Sequence, residues 1–311
     1  MYPKITIITP SYNQDQYLEE TIASVLNQNY PNLEYMIIDG GSTDKSVDII
    51  KKYTSQLTFW ISEKDKGTYD AINKGLQRST GDYWCVVNSD DTLKPNVLNE
   101  LIEYAKSNNY PDWITGGIEF IDEHSAYLGR SIPAFPKKVA GMYFLNECWI
   151  YHPVTFLSKK LYNEVGDFKK MDIMDYDYWI RAEQMGFTPV VMQQFMGCLR
   201  YHDDCKSMDF LKINQAKINL FSSYQEKIQD KKKLVELQAH IRDYQLSYYQ
   251  SELKFLLFHK RYTKTAWLLV LTLFRYPAQL VKKWPYGLMR RFFSGIEEKE
   301  FSPKYFVRNM Q

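Results

Sequence analysis

The sequence has few cysteines, little net charge and no long apolar run. Its 311 residues include only four cysteines, and none of them forms a C-x-x-C pair, which argues against a cysteine-built zinc site and fits a reducing compartment. The formal net charge is +2, so overall charge gives no reason to expect a nucleic-acid partner. The apolar run AWLLVLTLF at 266–274 is shorter than the roughly 20 residues that a bilayer core requires. The first ten residues, MYPKITIITP, contain no basic leader, and no signal peptide is predicted.

Several nucleotide-binding signatures are also missing. No G-x-G-x-x-G follows the first apolar segment, which argues against a nicotinamide dinucleotide site. The stretch GGSTDKS at 40–46 lacks the G-K-[ST] ending of a P-loop. TPSYNQDQY at 9–17 is not the glycine-rich loop bearing Arg and Lys that a sugar nucleotidyltransferase usually shows, so that class is only a weak alternative.

Apolar periodicity predicts four strands that alternate with helices in the first third of the chain. The predicted strands are 5–10, 34–39, 57–62 and 82–87, and the predicted helices are 15–28, 40–53, 68–79 and 95–107. Such alternation is typical of a parallel sheet with helices on its faces, which binds ligands beyond the carboxyl ends of its strands. The segments 10–13 and 88–91 and the residue Asp39 all follow predicted strands, so they are expected to meet at one edge.

The segment VVNSDDTLKP at 86–95 places two adjacent carboxylates after a buried strand. Because like charges side by side repel, Asp90 and Asp91 suggest a cation, and hard divalent cations prefer oxygen ligands. An Asx-turn or a helix cap is the alternative for this pair. Asp39, which precedes Gly40 and Gly41, leaves the same two interpretations open.

Two long stretches together resemble the family 2 glycosyltransferases, an inverting group with the GT-A fold. They are ITIITPSYNQDQYLEETIASVLNQNYPNLEYMIIDGGSTDKSVDIIKKY at 5–53 and SEKDKGTYDAINKGLQRSTGDYWCVVNSDD at 62–91. The likeness is strong over 4–107 and looser over 140–205. It implies an α/β fold with a Rossmann-like, mostly parallel sheet flanked by helices. It also implies a hexosyl or N-acetylhexosaminyl transferase that uses a nucleotide-sugar donor, most commonly a UDP-sugar.

The resemblance also implies roles for individual residues. Tyr12 would edge the base, Asp39 would hold it, and Asp90 matches the last acid of the D-x-D metal motif. Asn88 stands at the first position of that motif and brings no charge. Asp90, together with His202, would hold Mn²⁺ or Mg²⁺. The residues expected to bind the donor are Pro10, Tyr12, Asp39, Asp65, Asp70, Asn73, Asn88, Ser89 and Asp90.

The segment IMDYDYWIR at 173–181 resembles the family's catalytic-base segment. Asp175 is then the general base, and Met174 stands where the family commonly has Glu. Asp177 is the second candidate, and its alternative role at the start of a helix is a favourable interaction with the helix dipole alone. His152, before Pro153, is either an acceptor-site residue or a structural histidine.

The C-terminal third differs in charge from the rest. From 253 to 296 there is no acidic residue and there are nine basic ones, interleaved with large apolar residues. This pattern predicts attachment to a membrane interface, and the alternative is a helical pair packed on protein. We expect a glycosyltransferase domain at 1–215 and a helical, membrane-associating region at 216–311. The expected location is the cytoplasmic face of the plasma membrane, with a glycan or polyprenyl-linked glycan acceptor and no nucleic acid. A non-catalytic scaffold is the alternative that Asn88 and Met174 favour.

Overall fold

The computed structural model describes residues 2–133, 150–202, 205, 209–258 and 261–276. By its internal contacts the chain divides into two compact units, Met1–Tyr201 and His202–Gln311. The domain boundary predicted near residue 215 falls within the first helix of the second unit, so that helix belongs as a whole to the second unit.

The first unit alternates strands and helices through its first half and becomes strand-rich afterwards. Its strands are β1 Ile5–Ser11, β2 Leu33–Asp39, β3 Phe59–Ser62, β4 Tyr83–Val86, β5 Thr92–Leu93, β6 Trp113–Ile121, β7 Tyr127–Ser131, β8 Thr155–Ser158 and β9 Val190–Arg200. Its helices are α1 Leu18–Leu26, α2 Ser46–Lys52, α3 Thr68–Leu76, α4 Val97–Ser107, α5 Lys159–Val165 and α6 Met174–Gln184. Short 3₁₀ turns cover Thr54–Gln56 and His152–Val154.

The described strands form one mixed sheet in the order β3-β2-β1-β4-β8-β6-β9-β5, with β7 paired to β6. Strands β1 to β4 are parallel, as the sequence predicts. Beyond them β8 runs antiparallel to both β4 and β6, and β9 runs parallel to β6. The sheet is therefore less uniformly parallel than expected, because β8 enters in the opposite direction next to β4.

The first unit buries its apolar residues on both faces of this sheet. All seven residues of β1 are buried, which its unbroken apolar and β-branched sequence predicts. The glycine inside α3 allows this helix to pack closely, since a Cβ added at Gly75 would lie 2.7 Å from Cγ2 of Ile8. Trp84, Trp113 and Trp179 are among the largest fully buried side chains of the core.

The second unit is helical where it is described. It contains α7 Phe210–Gln225, α8 Lys231–Phe258 and α9 Tyr262–Arg275. The aromatic rings of Phe221 on α7 and Tyr244 on α8 pack with centroids 5.3 Å apart. None of the described helices is both long enough and apolar enough to span a membrane. The part of the predicted membrane segment from Pro277 onward lies outside the described residues.

Candidate active site

The carboxyl ends of β1, β2 and β4 lie at the same edge of the sheet, as their parallel pairing requires. Ser11, the last residue of β1, is in register with Asp39, the last residue of β2. The Gly40 N–H donates to the Ser11 carbonyl at 2.8 Å, and the Val87 N–H after β4 donates to the Ile8 carbonyl at 3.0 Å. The three polar segments singled out in the sequence are therefore neighbours.

The loops that follow β1 and β2 hold each other in place. The side-chain oxygen of Asn13 accepts from the Thr43 N–H at 2.8 Å, and the Asn13 N–H donates to Ser42 Oγ at 2.8 Å. Further along, the Asp15 N–H donates to Asp44 Oδ2 at 2.9 Å. Asn13 adopts a left-handed φ of 50°, which asparagine tolerates better than most residues. Tyr12 projects from this paired rim with 59% of its side chain exposed, a position suited to contact with a planar ligand.

Asp39 is buried and its carboxylate is occupied by its own loop. Oδ2 accepts from the Gly41 N–H at 3.1 Å, the Ser42 N–H at 2.9 Å and Ser62 Oγ at 2.6 Å, and Oδ1 accepts from Ser42 Oγ at 2.5 Å. The bonds from the Gly41 and Ser42 N–H groups are those of an Asx-turn, and Asp39 does not cap α2, which begins later at Ser46. The contact between Asp39 and a base, which the resemblance implies, stays a prediction. Such a contact requires Oδ1 to share or give up its hydrogen bond with Ser42 Oγ.

Asp65 lies against the same loop, whereas Asp70 is engaged locally. A Cβ at Gly40 would lie 2.8 Å from Asp65 Oδ2, so glycine at this position lets the carboxylate approach the backbone. Asp65 Oδ1 accepts from the Gly67 N–H at 2.8 Å. Asp70 Oδ2 lies 3.4 Å from Lys74 Nζ on the same helix. Of these two acids, Asp65 is the better placed to extend the rim formed by the β1 and β2 loops.

Asn73 connects α3 to the segment before α6. Its Nδ2 donates to the Phe168 carbonyl at 2.8 Å, and its Oδ1 accepts from the Phe168 N–H at 2.9 Å. Both ends of the amide are thus used within the protein. The structure shows a positioning role for Asn73, and its predicted donor contact is not tested.

The two adjacent acids after β4 have different surroundings. Asp91 is buried, with Oδ2 accepting from Asn88 Nδ2 at 3.0 Å and Oδ1 accepting from the Arg200 N–H at 3.0 Å. Burial, followed by the nearby charge of Asp90, raises the pKa of Asp91 well above its usual value. Asp90 is only half-buried, and Ser89 beside it is buried. Asp91 therefore stabilises the turn, and Asp90 is the acid at the surface of the site.

Arg200 is a site residue that the sequence analysis missed. At the end of β9 it is 1% exposed, and its Nε donates to the Asp90 carbonyl at 3.0 Å. Its Nη1 donates to the Asp122 carbonyl at 3.2 Å and to Ser125 Oγ at 2.8 Å, and its Nη2 donates to Glu20 Oε2 at 2.6 Å. The available signal was a single basic residue ending the otherwise uncharged strand VVMQQFMGCLR. Arg200 ties the Asp90 turn to α1 and to the β6–β7 hairpin.

The donor set around Asp90 fits a divalent cation of the Mg²⁺ or Mn²⁺ type. Asp90 offers a half-buried carboxylate, and the Oδ1 atom of Asn88 accepts no hydrogen bond within the described part of the chain. These two oxygen ligands, which together carry one negative charge, suit a hard cation that takes its other ligands from phosphate and water. His202 is the first residue of the second unit, and its N–H donates to Cys205 Sγ at 3.3 Å. Its predicted partnership with Asp90 stays a prediction.

The two acids at the start of α6 also differ in their partners. Asp177 is buried and forms ion pairs with Arg181 Nε at 2.7 Å and with Lys169 Nζ at 3.5 Å. Arg181 in turn donates to the carbonyls of Val165 and Asp167, so this pair anchors α6. Asp175 is half-buried, and its Oδ1 accepts from the N–H of the next residue at 3.0 Å. Of the two candidate bases, Asp175 is the one that forms no ion pair with any residue in the described part of the chain.

His152 lies between the Asp90 turn and Asp175. Because β8 runs antiparallel to β4, the turn before β8 sits at the carboxyl edge of β4, and Cys85 Sγ of β4 lies 3.8 Å from the His152 carbonyl oxygen. Burial lowers the pKa of His152, and the negative charge of nearby Asp175 partly opposes this shift. His152 Nε2 is buried and has no hydrogen-bond partner in the described structure. The ring packs edge-on against the Trp179 ring with centroids 5.8 Å apart, and its burial favours the neutral form by lowering the pKa of His152.

Comparison with known proteins identifies the family. The model of glycosyl transferase family 2 matches residues 6–166, and the chain belongs to this family. An uncharacterized glycosyltransferase of Methanocaldococcus jannaschii is 27% identical over 71% of this chain and 78% of its own length. The putative glycosyltransferase EpsE of Bacillus subtilis is 26% identical over 65% of this chain and 74% of its own. TuaG of the same organism, a putative teichuronic acid biosynthesis glycosyltransferase, is 35% identical over 37% of this chain and 46% of its own.

Solved structures confirm the GT-A fold. TarS residues 1–349 of S. aureus, in complex with UDP-GlcNAc, superimposes with a TM-score of 0.62 at 15% identity, covering 98% of this chain and 87% of that one. The mannosyltransferase PcManGT of Pyrobaculum calidifontis, in complex with GDP-Man and Mn²⁺, gives 0.59 at 15% identity over 100% and 88%. The predicted fold class and the predicted transferase activity are both confirmed. The scaffold and nucleotidyltransferase alternatives are accordingly set aside.

Proposed function

We propose that the protein is an inverting glycosyltransferase that moves a sugar from a nucleotide-sugar donor, most simply a UDP-sugar, to a hydroxyl group. The observation that carries this proposal is the separation of roles within the two acidic pairs. At each pair one acid is locked in the protein, Asp91 or Asp177, while its neighbour, Asp90 or Asp175, is half-buried at the site. The complexes of TarS with UDP-GlcNAc and of PcManGT with GDP-Man support the donor class.

The donor lies along the carboxyl ends of β1, β2 and β4 in this proposal. Tyr12 contacts the base, and Asp39 and Asp65 extend the pocket beneath it. The remaining assigned donor residues, Pro10, Asp70, Asn73, Asn88 and Ser89, line or support this edge. Asp90, with Asn88 and His202, would hold Mn²⁺ or Mg²⁺. When bound, such an ion neutralises the charge that develops on the leaving diphosphate.

Asp175 serves as the general base in a single displacement. It takes the proton of the acceptor hydroxyl as that oxygen forms a bond to the anomeric carbon, and the bond from that carbon to the diphosphate oxygen breaks. The nucleoside diphosphate leaves with the electron pair of that bond, and attack from the opposite face inverts the configuration. Neutral His152 beside Asp175 adds no positive charge that would hold the carboxylate in an ion pair. General-base assistance of this kind contributes about 10²–10⁴-fold.

We further propose that the acceptor is a glycan or a polyprenyl-linked glycan of a cell-surface polysaccharide. The name of TuaG, a relative placed in teichuronic acid biosynthesis, supports this assignment. The acid-free segment 253–296 supports a location on the cytoplasmic face of the plasma membrane, because its basic residues suit anionic headgroups. In this view the catalytic domain precedes a helical, membrane-associating region, as the sequence predicts.

A donor panel and one isosteric substitution test the proposal. UDP-, GDP- and dTDP-sugars are offered with Mn²⁺, with and without a membrane lipid extract as acceptor, and nucleotide release is measured. Asp175→Asn should lower turnover by about 10²–10⁴-fold and leave the donor dissociation constant, measured by calorimetry, nearly unchanged. The exposed Asp48, whose only described ion pair is with Lys51, supplies the control Asp48→Asn, which should match the wild type in both measurements. Near-wild-type turnover of Asp175→Asn would place the base elsewhere.

The metal assignment has its own test. Asp90→Asn should weaken the binding of Mn²⁺ in the presence of the nucleoside diphosphate, as followed by calorimetry or by the paramagnetic relaxation of water protons. Because Asp91 keeps its partners in this variant, the turn should remain folded. Equal Mn²⁺ binding by the variant and the wild type would contradict the role of Asp90.

A further inference from the structure

Helix α9 turns large apolar side chains toward the outside of the second unit. Trp267, Val270 and Phe274 are 66%, 59% and 85% exposed, and their spacing of three and four residues puts them on one helical face. The opposite side buries Thr265 and Thr272, each 1% exposed. We call the exposed set of Trp267, Val270 and Phe274 the apolar face of α9. The helix is thus inverted relative to an ordinary surface helix, with threonine inside and tryptophan outside.

Specific contacts fix this orientation. The hydroxyl groups of Thr265 and Thr272 donate to the carbonyls four residues earlier, at 2.9 Å and 2.7 Å, so neither carries an unsatisfied donor into the interior. At the end of the helix the Tyr276 hydroxyl donates to Gln245 Oε1 on α8 at 3.0 Å. The Arg275 guanidinium also donates to the hydroxyl of Tyr249 on α8. Rotating α9 to hide its apolar face would break the contacts of Tyr276 and Arg275 with α8, whereas the threonine bonds lie within α9 and would be kept.

The composition of the apolar face points to a non-aqueous neighbour. Single exposed apolar residues are ordinary on protein surfaces, but three large ones on one face form a patch. Tryptophan and phenylalanine at the exposed face of a helix with basic residues are typical of helices that lie in a membrane interface.

The charges around the face favour an anionic surface. Residues 261–276 contain the basic residues Arg261, Lys264 and Arg275 and no acidic residue. The wider segment 253–296 carries nine basic residues and again no acid. In a symmetric dimer the same face would meet itself, and two basic surfaces would repel. Anionic headgroups instead attract the nearby cations.

We propose that the apolar face of α9 inserts into the boundary between headgroups and acyl chains of an anionic bilayer, with Arg261 and Lys264 at headgroup level. This inference deepens the membrane attachment within the proposed function and rests on it. It assigns the contact to one face of one described helix. The partner is a lipid surface of negative charge.

Vesicle binding by the full-length protein tests this assignment. Vesicles of phosphatidylcholine, with or without phosphatidylglycerol, are sedimented with the wild type and with the variant Trp267→Ser/Val270→Ser/Phe274→Ser. The matched control is Val235→Ser, because Val235 on α8 is 60% exposed and lies in the same unit. We expect the triple variant to bind anionic vesicles at least about tenfold more weakly, while the control binds as the wild type does. Nucleotide release measured without vesicles should be equal for all three, so a failure here is separate from a failure of the proposed catalysis.

Brominated lipids give a second readout that needs only a conservative change. Bromine on the acyl chains should quench part of the wild-type tryptophan fluorescence, and Trp267→Phe should remove that part. Equal vesicle binding by the triple variant would overturn the proposal, as would quenching that Trp267→Phe does not reduce. A wild type that sediments as a dimer, with a triple variant that is monomeric and unaltered in vesicle binding, would assign the face to a second copy. Protection of Trp267 from aqueous iodide without vesicles would assign it to another part of the chain.

Discussion

Replacing Arg200 by methionine tests how the Asp90 turn is held. Methionine keeps much of the apolar length of arginine and removes four side-chain hydrogen bonds seen among the described residues, to the Asp90 and Asp122 carbonyls, Ser125 Oγ and Glu20 Oε2. Hydrogen bonds contribute about 0.5–1.5 kcal/mol each, and more where a charge takes part. Glu20 is half exposed, so water can replace its arginine partner, and the larger contribution of a charged hydrogen bond does not apply to it. Summed over these four bonds, we expect Arg200→Met to lower the free energy of unfolding by about 2–6 kcal/mol.

Urea unfolding followed by tryptophan fluorescence measures this change as a shift of the midpoint. The matched control is Arg130→Met on β7, because Arg130 is exposed and packs only over the Phe195 ring at 5.0 Å among its described contacts, for an expected loss under about 1 kcal/mol. Arg200→Lys keeps a charge but cannot reach all four acceptors, so its loss should fall between the two. A loss below about 1 kcal/mol for Arg200→Met would refute the claim that this side chain organises the turn.

Two further predictions follow from the buried ionisable groups. Asp177→Asn should lower the melting temperature strongly, because removing one partner of the buried ion pair with Arg181 costs about 3–5 kcal/mol. Asp175→Asn should melt close to the wild type. Similar melting temperatures of the two variants would contradict the assigned roles. His152→Gln should change the pH dependence of the free energy of unfolding. Because the pKa of His152 is lowered in the folded state, the unfolded state binds more protons below about pH 6.5, and wild-type stability should fall with decreasing pH relative to the variant, by at most about 1.4 kcal/mol per pH unit. Parallel stability curves of the two proteins would contradict burial of a neutral imidazole.

The sequence predicted the parallel half of the fold well. Strands β1 to β4 carry unbroken apolar runs and alternate with helices of clear period, so local pattern was sufficient. The insertion of β8 beside β4 was not predictable, because its pairing joins residues far apart in the chain and depends on direction rather than on composition. This reversed strand brings His152 to the same edge as Asp90.

The candidate site shows the same division. Its location after the strand ends followed from topology, and the pairs Asp90–Asp91 and Asp175–Asp177 were recognised from the sequence. Burial of Asp91 depends on a partner far away in the chain, Arg200, which no pattern around the aspartate reveals. The partner of Asp177 is local, because Arg181 lies four residues later on the same helix, and the sequence analysis did not use that spacing. The partners of Asp39 were open in part because one of them, Ser62, comes from another strand.

The mutual bonding of the loops after β1 and β2 has a thermodynamic consequence. Asn13 and Asp15 are bonded to Ser42, Thr43 and Asp44, and these bonds restrict the backbone of this rim. If the donor binds here as proposed, it need not order a disordered loop, and association should carry a small entropic penalty. We then expect affinity at this rim to depend on how well the nucleotide matches a preset shape.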